Sequence, residues 1–103
     1  MLKFTIICGL NDKDSKKQEI TTEEAYKKIV EVLHAHKVDG ATFTECKGLY
    51  IHDDGTPVFE NSIKIELLFI TAETANAICD GLKIALNQEA VVLEVINIDS
   101  ELK

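Results

Sequence analysis

The stretch Asp39–Ile70, DGATFTECKGLYIHDDGTPVFENSIKIELLFI, decides how the rest of the chain is read. Ala41 to Ile51 supplies one strand and Ser62 to Ile70 a second, joined by a hairpin-like excursion. Inside the excursion, His52-Asp53-Asp54-Gly55-Thr56-Pro57 gathers turn formers. Asp-Gly favours positive φ, and proline has no N–H to give to a ladder. In the second strand Ile63, Ile65, Leu67 and Phe69 alternate with Ser62, Lys64, Glu66 and Leu68. A period of two sends successive side chains to opposite faces, so one face is apolar and the other mixed. The mixed face must meet water or another subunit.

Upstream, Leu2 to Cys8 reads as a strand closed by Gly9, with Leu2, Phe4, Ile6 and Cys8 facing one way. Leu10 to Ile20 is polar and without period, the pattern of a solvated loop. Its lysines, Lys13, Lys16 and Lys17, lie where an anionic ligand would be within reach. Thr21 is a good N-cap, and Glu24 stands three residues later in capping-box position. Ala25, Ile29, Val32, Leu33 and His36 then form a helical stripe, with His34 off it and Asp39-Gly40 as the stop.

Downstream, Thr71 caps a second helix from Ala72 to about Asn87, with Ala75, Ile78, Leu82, Ala85 and Leu86 as its buried stripe. Gly81 costs that helix roughly 1 kcal/mol against alanine, and close approach to the sheet is the expected compensation. Ala90 to Ile98 is the last strand. The order β-α-β-β-α-β is the ferredoxin-like arrangement of an α+β fold: a four-stranded antiparallel sheet with two helices on one face. Its open face should carry Thr5, Ile7, Thr42, Thr44, Lys64, Glu66, Leu68, Val92, Glu94 and Ile96. That set is too apolar for bare solvent, so self-association is expected.

Composition narrows the function. The 103 residues make one domain, residues 1–103, long enough to bury a core without staples. A net charge of −7 argues against nucleic acid or an anionic membrane as partner, since both need a basic footprint. Cys8, Cys46 and Cys79 are widely spaced and form no C-x-x-C pair, so they read as small buried hydrophobes rather than zinc ligands. Free thiols indicate a reducing compartment, and the leading segment LKFTIICGL lacks a cleavage region and is too short for a bilayer. A cytoplasmic location is expected. No Walker loop, G-x-S-x-G, H-E-x-x-H or calcium-loop pattern occurs. His52-Asp53-Asp54 offers three ligands for a divalent cation, but an Asp-Asp-Gly turn more often serves backbone geometry, so no metal is assigned. Lys64, Glu66 and Glu94 share a face without any nucleophile, so no catalytic residue is assigned either.

Gly40-Ala41-Thr42-Phe43-Thr44-Glu45-Cys46-Lys47-Gly48 resembles the G-x-T-x-T-E-x-K-G strand of PII-like signalling proteins, and Ile63-Lys64-Ile65-Glu66 is similar to their K-I-E strand. The resemblance implies a ferredoxin-like homotrimer with small effectors, often adenine nucleotides, bound between subunits. Carried onto this sequence, it implies a ligand site at Thr42, Thr44, Lys47, His52, Lys64 and Glu66. Two departures stand out. Asn87-Gln88-Glu89 lacks the family's glycine-rich, lysine-bearing phosphate loop, and the excursion Tyr50–Asn61 is shorter than its partner-docking loop. Without backbone N–H groups in a glycine-rich nest, a triphosphate has no cradle. The reading is a non-catalytic small-molecule-binding oligomer, a sensor, adaptor or sequestering protein. The alternatives are a small ferredoxin-like enzyme and a protein-binding inhibitor module. Which cofactor, if any, the chain takes is left open by the sequence.

Overall fold

In the computed structural model, which describes residues 1–103, the order is β1 (Leu2–Gly9), α1 (Thr22–Ala35), β2 (Thr42–Ile51), β3 (Pro57–Leu67), α2 (Ala72–Ala85) and β4 (Val92–Asn97). The strands form one antiparallel sheet in the order β2-β3-β1-β4, the ferredoxin-like topology. No helix is long and apolar enough to cross a membrane.

Both helices begin as their caps dictate. Thr21 Oγ1 accepts the Glu24 N–H at 3.0 Å, and Thr71 Oγ1 accepts the Thr74 N–H at 3.1 Å. The end of α1 was not foreseen, whereas that of α2 falls within two residues of the expected Asn87. α1 stops at Ala35, well before Asp39-Gly40, because Lys37 takes a left-handed φ of 60°. The Lys37 N–H then bonds the His34 carbonyl, and the Val38 N–H bonds that of Leu33. This is a Schellman closure. α2 ends the same way, with Asn87 at φ 48° and the Gln88 N–H on the Lys83 carbonyl.

The core lies between the sheet and the two helices. Phe4, Ile6, Ile63, Ile65 and Leu67 face the helices and are fully buried, as are Ile29, Ile78 and Leu82 opposite them. Each such side chain contributes about 1.5–3 kcal/mol of burial free energy. Gly81 faces not the sheet, as expected, but α1: a Cβ there would lie 3.0 Å from Val32 Cγ1. It is a notch for helix–helix contact.

Register fixes the faces. Thr42 pairs with Glu66, Glu66 with Thr5, and Thr5 with Glu94; Thr44 pairs with Lys64, Lys64 with Ile7, and Ile7 with Val92. The residues assigned to the open face therefore sit there together, Ile96 opposite Lys3 among them, except Leu68: β3 ends at Leu67, short of the expected Ile70, and the chain turns at Phe69 with a left-handed φ of 62°. The hairpin differs from expectation. β3 begins at Pro57 rather than Ser62, and only His52–Thr56 forms the turn, closed by the His52 N–H on the Thr56 carbonyl at 2.9 Å. Asp54 Oδ1 accepts the Thr56 N–H, so this carboxylate serves the turn and is held below the usual carboxylate range. Pro57 is tolerated because it opens a strand. The excursion Tyr50–Asn61 is thus mostly paired ladder. Long strands also make the molecule elongated, 48 × 25 × 23 Å.

Candidate functional site

At one end of the sheet a cleft of about 310 Å³ opens between three elements. Tyr50, His52 and Glu60 come from the β2–β3 hairpin, Asn11, Asp12, Lys13 and Lys16 from the loop after β1, and Gln88 and Glu89 from the α2–β4 connection.

The loop after β1 is not the freely solvated segment expected. Asn87 Nδ2 donates to Asp12 Oδ1 at 2.6 Å and to Asp14 Oδ2 at 3.0 Å. Gln88, itself buried, donates from Nε2 to the Asn11 carbonyl at 2.7 Å. The Asp14 and Ser15 N–H groups both bond Asp12 Oδ2. These bonds, that of Asn87 first, hold the Asp12 carboxyl below its ordinary value. Asp12 is therefore occupied in shaping the wall. Glu60 and Glu89 remain as acids of the cleft, with Lys13 and Lys16 as its cations.

Glu60 is the best-placed of these groups. It lies on the open face, directly opposite Gly48 in the β2–β3 ladder. Its carboxylate leans over Gly9 of β1, where a Cβ would come to 2.5 Å from Oε1 and nearer still to the rest of the group. The Asn11 N–H donates to Oε2 at 2.9 Å. Glu60 is half-buried, with a glycine on either side. Tyr50, on the same face, meets the His52 ring edge-on at 5.3 Å between centroids.

Of the six residues the resemblance pointed to, Thr42, Thr44, Lys64 and Glu66 form two adjacent cross-strand pairs on the open face. Glu66 is taken up by Lys3, 3.1 Å away. Lys47 is not with them. It pairs with Asn61 on the helix side and donates from Nζ to Asn61 Oδ1 at 2.8 Å, while Asn61 in turn donates to Gln18. A residue five positions from His52 falls on the other face of the pleat, so Lys47 does not share one site with His52 as the resemblance implied. His52 lies in the turn at the cleft rim, away from the Thr42–Lys64 group. Glu60, Tyr50 and Gly9 were missed. The signal for Glu60 was present: Val58, Glu60, Ser62, Lys64 and Glu66 share one parity, but the proline hid the start of the strand.

No protein-family model matches the chain, and no curated protein matches it in sequence. Solved structures do. A phage SAM lyase in complex with S-methyl-5'-thioadenosine superposes with a TM-score of 0.73 at 24% identity, over 92% of this chain and 79% of the lyase. The phage SAM lyase in its apo state gives a TM-score of 0.68 at 23% identity, over 92% and 78%. CutA from Synechococcus elongatus gives 0.62 at 14% identity, over 94% and 76%, and the Bacillus subtilis GlnK–ATP complex 0.57 at 14%, over 92% and 80%. What the chain shares with all of them is the ferredoxin-like fold. The likeness to PII-type proteins holds at that level, one among several. The expectation of a protein without catalysis gives way to this finding, because the structures with TM-scores of 0.73 and 0.68 are those of an enzyme.

Proposed function

We propose that this chain is a small oligomeric lyase that cleaves a carbon–sulfur bond of S-adenosylmethionine and releases S-methyl-5'-thioadenosine. The observation that carries the reading is the Glu60 carboxylate, lying over Gly9 in a cleft that also holds Tyr50, Glu89, Lys13 and Lys16. S-adenosylmethionine has an ammonium, a sulfonium and a carboxylate close together. A lining of both signs suits such a ligand, whereas a triphosphate would face Glu60 and Glu89 without a glycine-rich nest. The likeness to a lyase holding S-methyl-5'-thioadenosine supports the same substrate.

The charges divide the work. During cleavage sulfur takes the bonding pair and becomes a neutral thioether, so pairing a carboxylate with the sulfonium would stabilise the ground state and slow the step. The ammonium keeps its charge throughout. Glu60 therefore serves best as its partner, orienting the amino-acid arm, and Tyr50 offers a ring face to the sulfonium methyl or the adenine. The carbon that loses sulfur is satisfied by ring closure: an oxygen of the substrate's own carboxylate forms the new C–O bond as the C–S pair leaves with sulfur, so no proton needs an acceptor.

The assembly that goes with this reading is a homo-oligomer, with a trimer as the expected form. The open face carries Val92 and Ile96, each about half exposed, and no element of the chain covers them. Incubation with S-adenosylmethionine and chromatographic detection of S-methyl-5'-thioadenosine tests the activity. Turnover by the wild type, falling at least about tenfold in Glu60→Gln, is the expected result, the scale of one charge-assisted hydrogen bond. Folded protein that releases no thioether product refutes the lyase reading, and ligand binding without turnover returns the chain to the sensors.

A further inference from the structure

The proposed site depends on a carboxylate held in one orientation, and the chain achieves this with a residue that has no side chain. We propose that Gly9 is a positioning residue: its missing Cβ forms the seat in which the Glu60 carboxylate lies, so that the group presents its free oxygen to the substrate ammonium. This rests on the substrate reading above.

Gly9 ends β1 on the open face, paired with Ser62, and Glu60 is two residues before Ser62 on the same face of β3. A side chain at position 9 would rise where the carboxylate now lies, since an ideal Cβ would stand 2.5 Å from Oε1 and closer to Oε2 and the carboxyl carbon. Glu60 supplies all three of the nearest atoms. The φ of Gly9 is not in the left-handed region, so no backbone reason calls for glycine there. What the glycine provides is space. The Asn11 N–H, two residues on, fastens Oε2 at 2.9 Å. Strand β1 and its loop thus clamp a carboxylate that comes from the hairpin.

Because the displaced atoms are the far end of a flexible side chain, Gly9→Ala should move the carboxylate rather than unfold the protein. Binding is measured by calorimetry with two inert probes. S-adenosylhomocysteine has the ammonium, and S-methyl-5'-thioadenosine lacks the whole amino-acid arm. Gly9→Ala is expected to weaken the first at least about tenfold, roughly 1.4 kcal/mol, and leave the second within about twofold. In a Glu60→Ala background, Gly9→Ala should have no further effect. A readout independent of ligand is hydrogen exchange at the Asn11 amide, which donates to Glu60 Oε2 and should exchange at least about tenfold faster in Gly9→Ala than in the wild type. Equal exchange in both proteins overturns the seat, as does equal binding of S-adenosylhomocysteine by both. A wild type that binds neither probe refutes the substrate reading alone, and the amide exchange then decides the seat by itself. Should Gly9→Ala lower the midpoint of unfolding in both the wild-type and Glu60→Ala backgrounds, position 9 is structural and the proposal fails.

Discussion

Replacing Gly81 with alanine opposes two effects of similar size. Alanine gains about 1 kcal/mol over glycine in a helix interior. Against this, its Cβ would stand 3.0 Å from Val32 Cγ1 and 4.0 Å from His36 Nε2. Overpacking of this kind costs about 1–3 kcal/mol. Crowding therefore wins, and Gly81→Ala should destabilise the protein by a net of about 1 kcal/mol. The sign should reverse when Val32 is shortened: in a Val32→Ala background the same change meets neither Cγ methyl and should stabilise by about 1 kcal/mol. The coupling between the two sites is then about 2 kcal/mol, well above the few tenths expected of independent positions. Urea unfolding of the four proteins, followed by circular dichroism at one protein concentration, gives the cycle. Equal stabilisation by Gly81→Ala in both backgrounds would show that the helices do not touch there.

Two further outcomes follow from charge and surface. Asp12 is held below its ordinary value of 3.8 by the Asn87 side chain and the Ser15 and Asp14 N–H groups. A depressed carboxyl contributes stability that is fully present above the unfolded value and is lost as pH falls through the lower, folded one. Asp12→Asn should therefore lower the thermal midpoint at pH 7 but bring wild type and variant together at pH 2; a constant gap across that range would mean the Asn87 contact does not depend on charge. Just past β3, in a hollow shared with Lys3, Thr42 and Glu66 of the open face, Leu68→Asp should disrupt assembly in sedimentation while Lys103→Asp, on the tail beyond β4, should not. Equal behaviour of these two variants would remove the basis for burying that face between subunits.

Much of the architecture was legible along the chain. Thr21 and Thr71 announced both helix starts, because a cap acts within a single turn. The alternation of Ile63, Lys64, Ile65 and Glu66 fixed which side chains share a face, because the pleat has a period of two whatever it packs against. The misreadings came where a local signal competed with something distant. Asp39-Gly40 looked like the end of α1, but the chain had already turned at Lys37, where the Val38 N–H satisfies the Leu33 carbonyl. Pro57 looked like the interior of a loop, but pairing with Ile51 makes it the first residue of β3. Lys47 was grouped with Thr42 and Thr44 through the resemblance, against the parity that the same strand prescribes.

The sequence by itself determined the order of the elements, the helix starts, the two faces of the sheet and the acidity that disfavours phosphate. These rest on interactions spanning a few residues, and a few residues are enough to encode them. The tertiary structure alone decided that Glu60 lies over Gly9, that Asn11 holds it, and that Asn87 and Gln88 tie the first loop to the end of α2. Those meetings join segments 49 to 77 residues apart. They depend on strand register and on how the hairpin and loops meet at one end of the sheet, and neither leaves a mark in the local pattern of either partner.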